Sequence, residues 1–201
     1  ALLAAAIKAW GRELGFQQVG VADIDLAAHE ARLLDWLAAG FHGEMEYMAR
    51  HGVKRSRPAE LIPGTVRVIA ARMDYGLPGA AAEPWSVLNR PELGYVSHYA
   101  LGRDYHKVLR QRLQRLAERV AAAIGPFGYR VFVDSAPVLE KALAAKAGLG
   151  WIGKHSNLLD RQAGSWFFLG EIYVDVPLPV DAPVTAHCGR CTACLDICPT
   201  Q

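Results

Sequence analysis

Apolar residues recur along this chain with two different periods, and the switches between them mark out its elements. Leu3, Ile7, Trp10 and Leu14 stand at helical spacing, with Gly15 placed to stop the helix. Val19 and Val21 alternate as a short strand does. Leu33, Trp36 and Leu37 return to helical spacing up to Gly40, and residues 43–48 predict a third helical piece. Pro63-Gly64 is a turn, after which Val66, Val68 and Ile69 open a strand running towards Met73. Residues 76–94, rich in Gly, Pro and Ala, read as a long loop.

The longest helix is predicted from about Asp104 to Ile124. Leu109, Leu113, Leu116, Val120 and Ile124 form its buried stripe, and Lys107, Arg110, Arg115 and Arg119 occupy other faces. Gly125-Pro126 ends it. Residues 129–133 predict a strand, followed by Asp134-Ser135-Ala136-Pro137 and a helix through Leu139, Leu143 and Ala147. Pro137 suits the first turn of that helix and Gly148 its end. Residues 156–159 and 165–174 then predict the two strands of a hairpin. Pro177, Pro179 and Pro183 form a linker, so the chain divides into residues 1–176 and 177–201.

Composition adds bounds. At 201 residues, 52% hydrophobic and 21% charged, the chain can bury a full core, which excludes disorder. No apolar run approaches the ~18 residues of a membrane span. The apolar stretch before Lys8 lacks a basic flank, so no secretory signal is expected. A net charge of +2 argues for no partner. The cysteines are more telling: all four lie between positions 188 and 198. A disulfide framework would spread them along the chain, so they read as a cofactor cluster in a reducing, cytoplasmic compartment.

Cys188, Cys191, Cys194 and Cys198, followed by Pro199, are spaced C-x2-C-x2-C-x3-C-P, the bacterial ferredoxin run for 4Fe–4S clusters. Zinc knuckles separate two CxxC pairs by a longer spacer, so the spacing argues against zinc. In two-cluster proteins the fourth cysteine serves the other cluster. Cys188, Cys191 and Cys194 then need a further ligand, which predicts a longer chain carrying two clusters. Gly148, Gly150 and Gly153 match G-x-G-x-x-G but follow a helix, and Trp151 and Ile152 would crowd a pyrophosphate. The spacing to Lys154 is that of a Walker A loop, with His155 where Ser or Thr belongs. Both nucleotide readings are set aside; the glycines still imply a backbone that something approaches closely. Asp134 stands where a strand ends and a helix begins. It reads either as a helix N-cap or as a reactive group at a ligand-binding rim. Arg50, His51, Lys54, Arg55 and Arg57 form a basic cluster with no acid among residues 49–58, suited to phosphates or to a solvated face.

Four segments occur in a fixed order before the cysteines: GEMEYMARH from Gly43, YVSHYALGRDYHK from Tyr95, VDSAPVLE from Val133 and AGLGWIGKHS from Ala147. Together they resemble the epoxyqueuosine reductase family, over essentially the whole chain. The resemblance implies an α+β fold, a mixed sheet flanked by helices forming a corrinoid-binding domain, followed by the start of a ferredoxin-like module. It implies an oxidoreductase that reduces the epoxide of epoxyqueuosine in a tRNA anticodon loop to queuosine. Cobalamin would act with two 4Fe–4S clusters and an external electron donor, in a layout related to reductive dehalogenases. Asp134 matches the proton donor. Arg57, Ser97, Tyr99, Lys154, His155, Ser156 and Asn157, with Asp134 itself, match the cobalamin contacts, and the four cysteines match the cluster ligands. His98, His106 and His155 are candidates for a ligand to cobalt. A soluble monomer without membrane contact is expected. The family's second cysteine set and C-terminal helical repeats do not occur in these residues. A non-catalytic corrinoid or iron–sulfur carrier module is the alternative, and a zinc-stabilised nucleic-acid-binding module a third reading.

Overall fold

The computed structural model describes residues 1–75 and 83–199. In chain order its elements are α1 (Leu2–Glu13), β1 (Gln18–Ala22), α2 (Ala27–Ala38), α3 (Pro58–Leu61), β2 (Arg67–Asp74), α4 (Glu83–Leu88) and α5 (Tyr105–Ile124). They continue as β3 (Tyr129–Phe132), α6 (Glu140–Lys146), β4 (Trp151–Ile152), β5 (Leu158–Leu159), β6 (Phe167–Val174) and α7 (Ala193–Asp196). Among the described residues no helix is long and apolar enough to cross a membrane.

A four-stranded sheet, ordered β1-β2-β6-β3, carries a core on each face. Along β2, Ile69 and Ala71 join Ile7 of α1 and Leu109, Leu113 and Leu116 of α5 on one face. Val68 and Ala70 point the other way, to Leu143 and Ala144 of α6 and to Leu149 and Leu158. This is the period-2 alternation of a strand, used twice because helices cover both sides. Each fully buried Leu or Ile contributes about 1.5–3 kcal/mol relative to exposure. Asp104 caps α5 by accepting the His106 backbone N–H at 3.0 Å, and Gly125, at φ 90°, ends the helix.

The α+β class holds, but every pairing in the four-stranded sheet is antiparallel, which corrects the expected mixed sheet. The cause is the place of β6. β2 and β3 run the same way and are connected through α5, yet β6 lies between them and runs against both. The expected hairpin of residues 156–159 and 165–174 does not form either. β5 pairs back onto β4, and only the isolated bridge Asp160↔Gly164 closes the turn ahead of β6. A strand largely apolar on both faces belongs in the middle of a sheet, and both edges of β6 are taken by β2 and β3.

Smaller corrections follow. The third helical piece is a 3₁₀ turn at Glu46–Met48, α4 lies inside the expected long loop, and Ile124 is exposed because the buried stripe stops a turn before the helix does. Residues 76–82 of that loop lie outside the described residues. The proline-rich segment is docked on the sheet edge: Asp181 accepts the Val21 backbone N–H at 2.8 Å, its own N–H donates to the Val21 carbonyl at 2.8 Å, and Lys8 pairs with its carboxylate.

Candidate active site

α6 begins at Glu140, with Leu139 in its N-cap position, so Asp134 caps no helix and Pro137 lies outside the first turn. Instead residues 133–139 fold as tight turns. The Ser135 N–H donates to the Val133 carbonyl at 2.7 Å, and the Val138 N–H to the Ala136 carbonyl at 2.8 Å. Asp134 itself takes a left-handed φ of 50°. Aspartate tolerates that region better than most residues, at a cost of order 1 kcal/mol. The cap reading fails because this turn aims the carboxylate away from α6, towards the start of α5.

There the sheet-and-helix return brings sequence-distant groups together. The Tyr105 hydroxyl donates to Asp134 Oδ2, and His106 Nε2 stands 3.0 Å from the same oxygen. His106 Nδ1 lies 3.1 Å from Asp104 Oδ1. One imidazole thus bridges two carboxyl groups. Both ring nitrogens are engaged in this bridge. Burial first, and then the bonded Asp134 carboxylate, push the Tyr105 hydroxyl well above the ordinary phenol range, keeping it a donor. Its ring stacks on Phe168 (4.1 Å, 6°) and on His106 (4.0 Å). Tyr99 meets it edge-on at 6.3 Å.

Asp134 opens onto a cleft of about 230 Å³, lined also by Tyr75, Tyr105, Glu140, Lys141, Asn157, Ser165 and Phe168. This is below the roughly 300–1,000 Å³ of ordinary ligand pockets, too small to enclose a corrinoid-sized group. The cleft's floor is acidic. Burial first, then the nearby Asp134 charge, raise Glu140 from 4.5 to about 7 against the opposing pull of Lys141. Behind it on β6, Glu171 is 1% exposed with no hydrogen-bond partner for Oε1. Burial and the neighbouring Glu140 push it well above the ordinary carboxylate range. Neither glutamate was singled out from sequence as a site residue. The signal was Glu171 itself, an acid inside the otherwise apolar run of β6.

The remaining expected residues divide. Tyr99 and Asn157 border the Asp134 group, Asn157 accepting from Lys141 at 3.4 Å. Ser97 starts the 3₁₀ turn His98–Ala100, whose His98 ring lies 5.4 Å from Trp166. His155 and Ser156 (φ 63°) form the β4–β5 turn, where His155 Nδ1 accepts the Asn157 N–H at 3.1 Å. Arg57 is placed elsewhere, gripped by Glu30 at 2.8 and 2.9 Å and by Glu60 at 2.9 Å. Lys154 reaches the cysteine loop, donating to the carbonyls of Gly189 (3.0 Å) and Cys191 (2.8 Å). The glycines are explained by the chain's own packing: a Cβ on Gly150 would stand 2.2 Å from the Leu159 carbonyl oxygen, and one on Gly148 2.6 Å from that of Ala182. No ligand approach is needed to account for them.

None of the four cysteines is in a disulfide. Cys188 Sγ accepts the Trp151 indole N–H at 3.3 Å, and α7 carries Cys194. Among the described residues no three His, Cys, Asp or Glu side chains converge on a single metal position.

A family model described as epoxyqueuosine reductase QueG, DUF1730, matches residues 55–135, a stretch ending one residue past Asp134. Over 201 residues the chain is 68% identical to the epoxyqueuosine reductase of Pseudomonas aeruginosa, covering 100% of this chain and 55% of that protein. Over its whole length the chain is similar to epoxyqueuosine reductases. It is 61% identical over 198 residues to the epoxyqueuosine reductase of Escherichia coli, covering 98% of this chain and 52% of that one. The chain therefore spans about half the length of the curated relatives it matches. The epoxyqueuosine reductase structure from Streptococcus thermophilus matches with a TM-score of 0.81 at 27% identity, over 98% of this chain and 52% of that one. Two further structures share the fold. One is an epoxyqueuosine reductase with an epoxyqueuosine-modified tRNA stem loop (TM-score 0.82, 23% identity, 99% of this chain and 52% of that one). The other is a reductive dehalogenase described with B12-dependent dehalogenation (0.52, 17%, 90% and 20%).

Proposed function

We propose that this chain forms the reaction site of an epoxyqueuosine reductase, an oxidoreductase that removes the epoxide oxygen of epoxyqueuosine in a tRNA anticodon loop. The observation that carries this reading is the Asp134 carboxyl held by Tyr105 and His106 at the mouth of an aromatic cleft. A reduced cobalamin lying across that mouth would supply the electrons for C–O cleavage. The residues fit such a group: an aromatic wall of Tyr75, Tyr105 and Phe168, and amide or hydroxyl partners at Asn157 and Ser165. Ser97, Tyr99, His155, Ser156 and Asn157 are retained as corrinoid contacts. Arg57 and Lys154 are held by Glu30 and Glu60 and by the cysteine loop, and would contact a corrinoid only on leaving those partners.

Removing an epoxide oxygen takes two electrons and two protons and releases it as water, and Asp134 delivers a proton to that oxygen as its C–O bond breaks. Tyr105 and His106 fix the carboxyl's orientation, and the His106–Asp104 pair returns the proton. Asp134, half-exposed here, would be shielded from water only once the mouth of the cleft is covered. Cys188, Cys191 and Cys194 would hold one 4Fe–4S cluster and Cys198 a second, with Lys154 and the Trp151 indole offsetting thiolate charge. An external electron donor would serve these clusters in the cytoplasm.

Asp134→Asn tests the reading in the full-length protein. It keeps the shape and still accepts from Tyr105, but has no proton to give. Cobalamin binding, followed by its visible absorption, should persist, while turnover of epoxyqueuosine-tRNA falls by about 10²–10⁴-fold. Near-normal turnover in a folded, cobalamin-loaded variant would overturn the role of Asp134.

A further inference from the structure

On the other side of the Asp134 turn lies a second cleft, of about 350 Å³, between α5 and β3. Arg110 of α5 and Arg130 of β3 line it together, with Gln114 and Ser135, and no carboxylate is among the lining residues. Both arginines are exposed and, among the described residues, neither has a hydrogen-bond or ion-pair partner. Some arginines elsewhere are committed to carboxylates: Arg57 to Glu30 and Glu60, Arg72 to Asp74 and Asp160, Arg119 to Glu13. Along the helix, Asp104 at the N-cap pairs with His106 and Lys107, and Glu118 is turned to Gln114 at 3.3 Å. Lys107, Arg110 and Gln114 stand three and four residues apart, on one face of α5 that starts at the Asp134 cluster.

We propose that this cleft is a phosphodiester subsite, in which Arg110 and Arg130 hold the backbone of a single-stranded RNA loop while its modified base enters the Asp134 cleft. The proposal rests on the RNA-substrate reading above and gives that substrate a footing on this chain. The geometry follows from neighbouring residues: Asp134 lines the aromatic cleft and Ser135 the basic one, so the two are separated by a single turn of chain. Proteins that read RNA loops splay a base onto aromatic rings and grip its phosphates with arginine, whose planar fork matches two phosphate oxygens at once. An enzyme acting on a base gains the same way, since backbone contacts outside the pocket offset the cost of unstacking.

The test uses the full-length protein and a fluorescein-labelled anticodon stem loop, with anisotropy titrations across a series of KCl concentrations. Arg110→Gln and Arg130→Gln should each weaken binding several-fold. Each should also reduce the slope of log affinity against log salt by about 0.7, and the double variant by about 1.4, the value per phosphate contact on a single strand. Arg130→Lys keeps the charge and should restore the slope. Arg119→Gln, whose partner is Glu13, should leave it unchanged. Wild-type slopes in both Gln variants would overturn the subsite while leaving the RNA reading intact. Absence of stem-loop binding by the wild-type protein would overturn both.

Discussion

The buried acids beneath Asp134 make a prediction about stability that needs no cofactor. In an unfolded chain Glu140 ionises near its ordinary 4.5, whereas in the fold it keeps its proton to about 7. A raised folded value means that the contribution is complete below pH 4.5 and is lost progressively as pH rises to 7, where it levels off. Each tenfold difference in proton affinity is worth about 1.4 kcal/mol, so the loss across this window is about 3 kcal/mol. Glu140→Gln keeps the side chain's size and its acceptor for the Asp134 backbone N–H but cannot ionise. Relative to wild type, the variant should therefore gain about 3 kcal/mol between pH 4.5 and 7 and hold that difference above pH 7. Urea unfolding followed by tryptophan fluorescence at half-unit pH steps measures it. Glu171 remains in the variant and keeps a residual slope of the same sign, so the informative quantity is the difference between the curves. If the two stability curves stay parallel from pH 4.5 to 8, Glu140 does not hold a proton in the fold, and the acidic floor of the cleft is misassigned.

Two further predictions concern the β4–β5 turn. Gly150→Ala drives a methyl group to 2.2 Å from the Leu159 carbonyl oxygen, where backbone has to move. It should cost about 3 kcal/mol, read as a fall in thermal midpoint, and an unchanged midpoint would contradict the packing account of this glycine. Lys154→Met removes the ammonium that ties the carbonyls of Gly189 and Cys191. Full-length protein with this change should release iron to a chelator several-fold faster, and wild-type release kinetics would show that the tie is idle.

Local elements were legible where local physics decides them. Gly15 and Gly125 end α1 and α5 with positive φ, and the buried stripe from Leu109 to Val120 follows directly from helical spacing. Strand order was not legible, because nothing in residues 167–174 by themselves says that they insert between β2 and β3. The β5–β6 hairpin was a reasonable reading of a turn that does close at Asp160 and Gly164, but Leu158–Leu159 is claimed by a nearer partner, Trp151–Ile152. Asp134 was visible as a residue with two readings, and only its left-handed turn removes one of them. Its companions Tyr105 and His106 are the opening residues of the longest helix, and sequence does not reveal that this helix start faces the end of β3.

The strand made last stands inside the sheet, and this bears on how the protein is born. During synthesis β1 and β2 can pair early, and β3 follows after α5, but these pieces share no hydrogen bond until β6 arrives between them. A nascent chain lacking residues 167–174 thus exposes two unsatisfied strand edges, the kind of surface that recruits chaperones or other strands. The same step carries Glu171 out of water and, with it, sets the floor of the cleft. Completion of the sheet and assembly of the site become a single cooperative event.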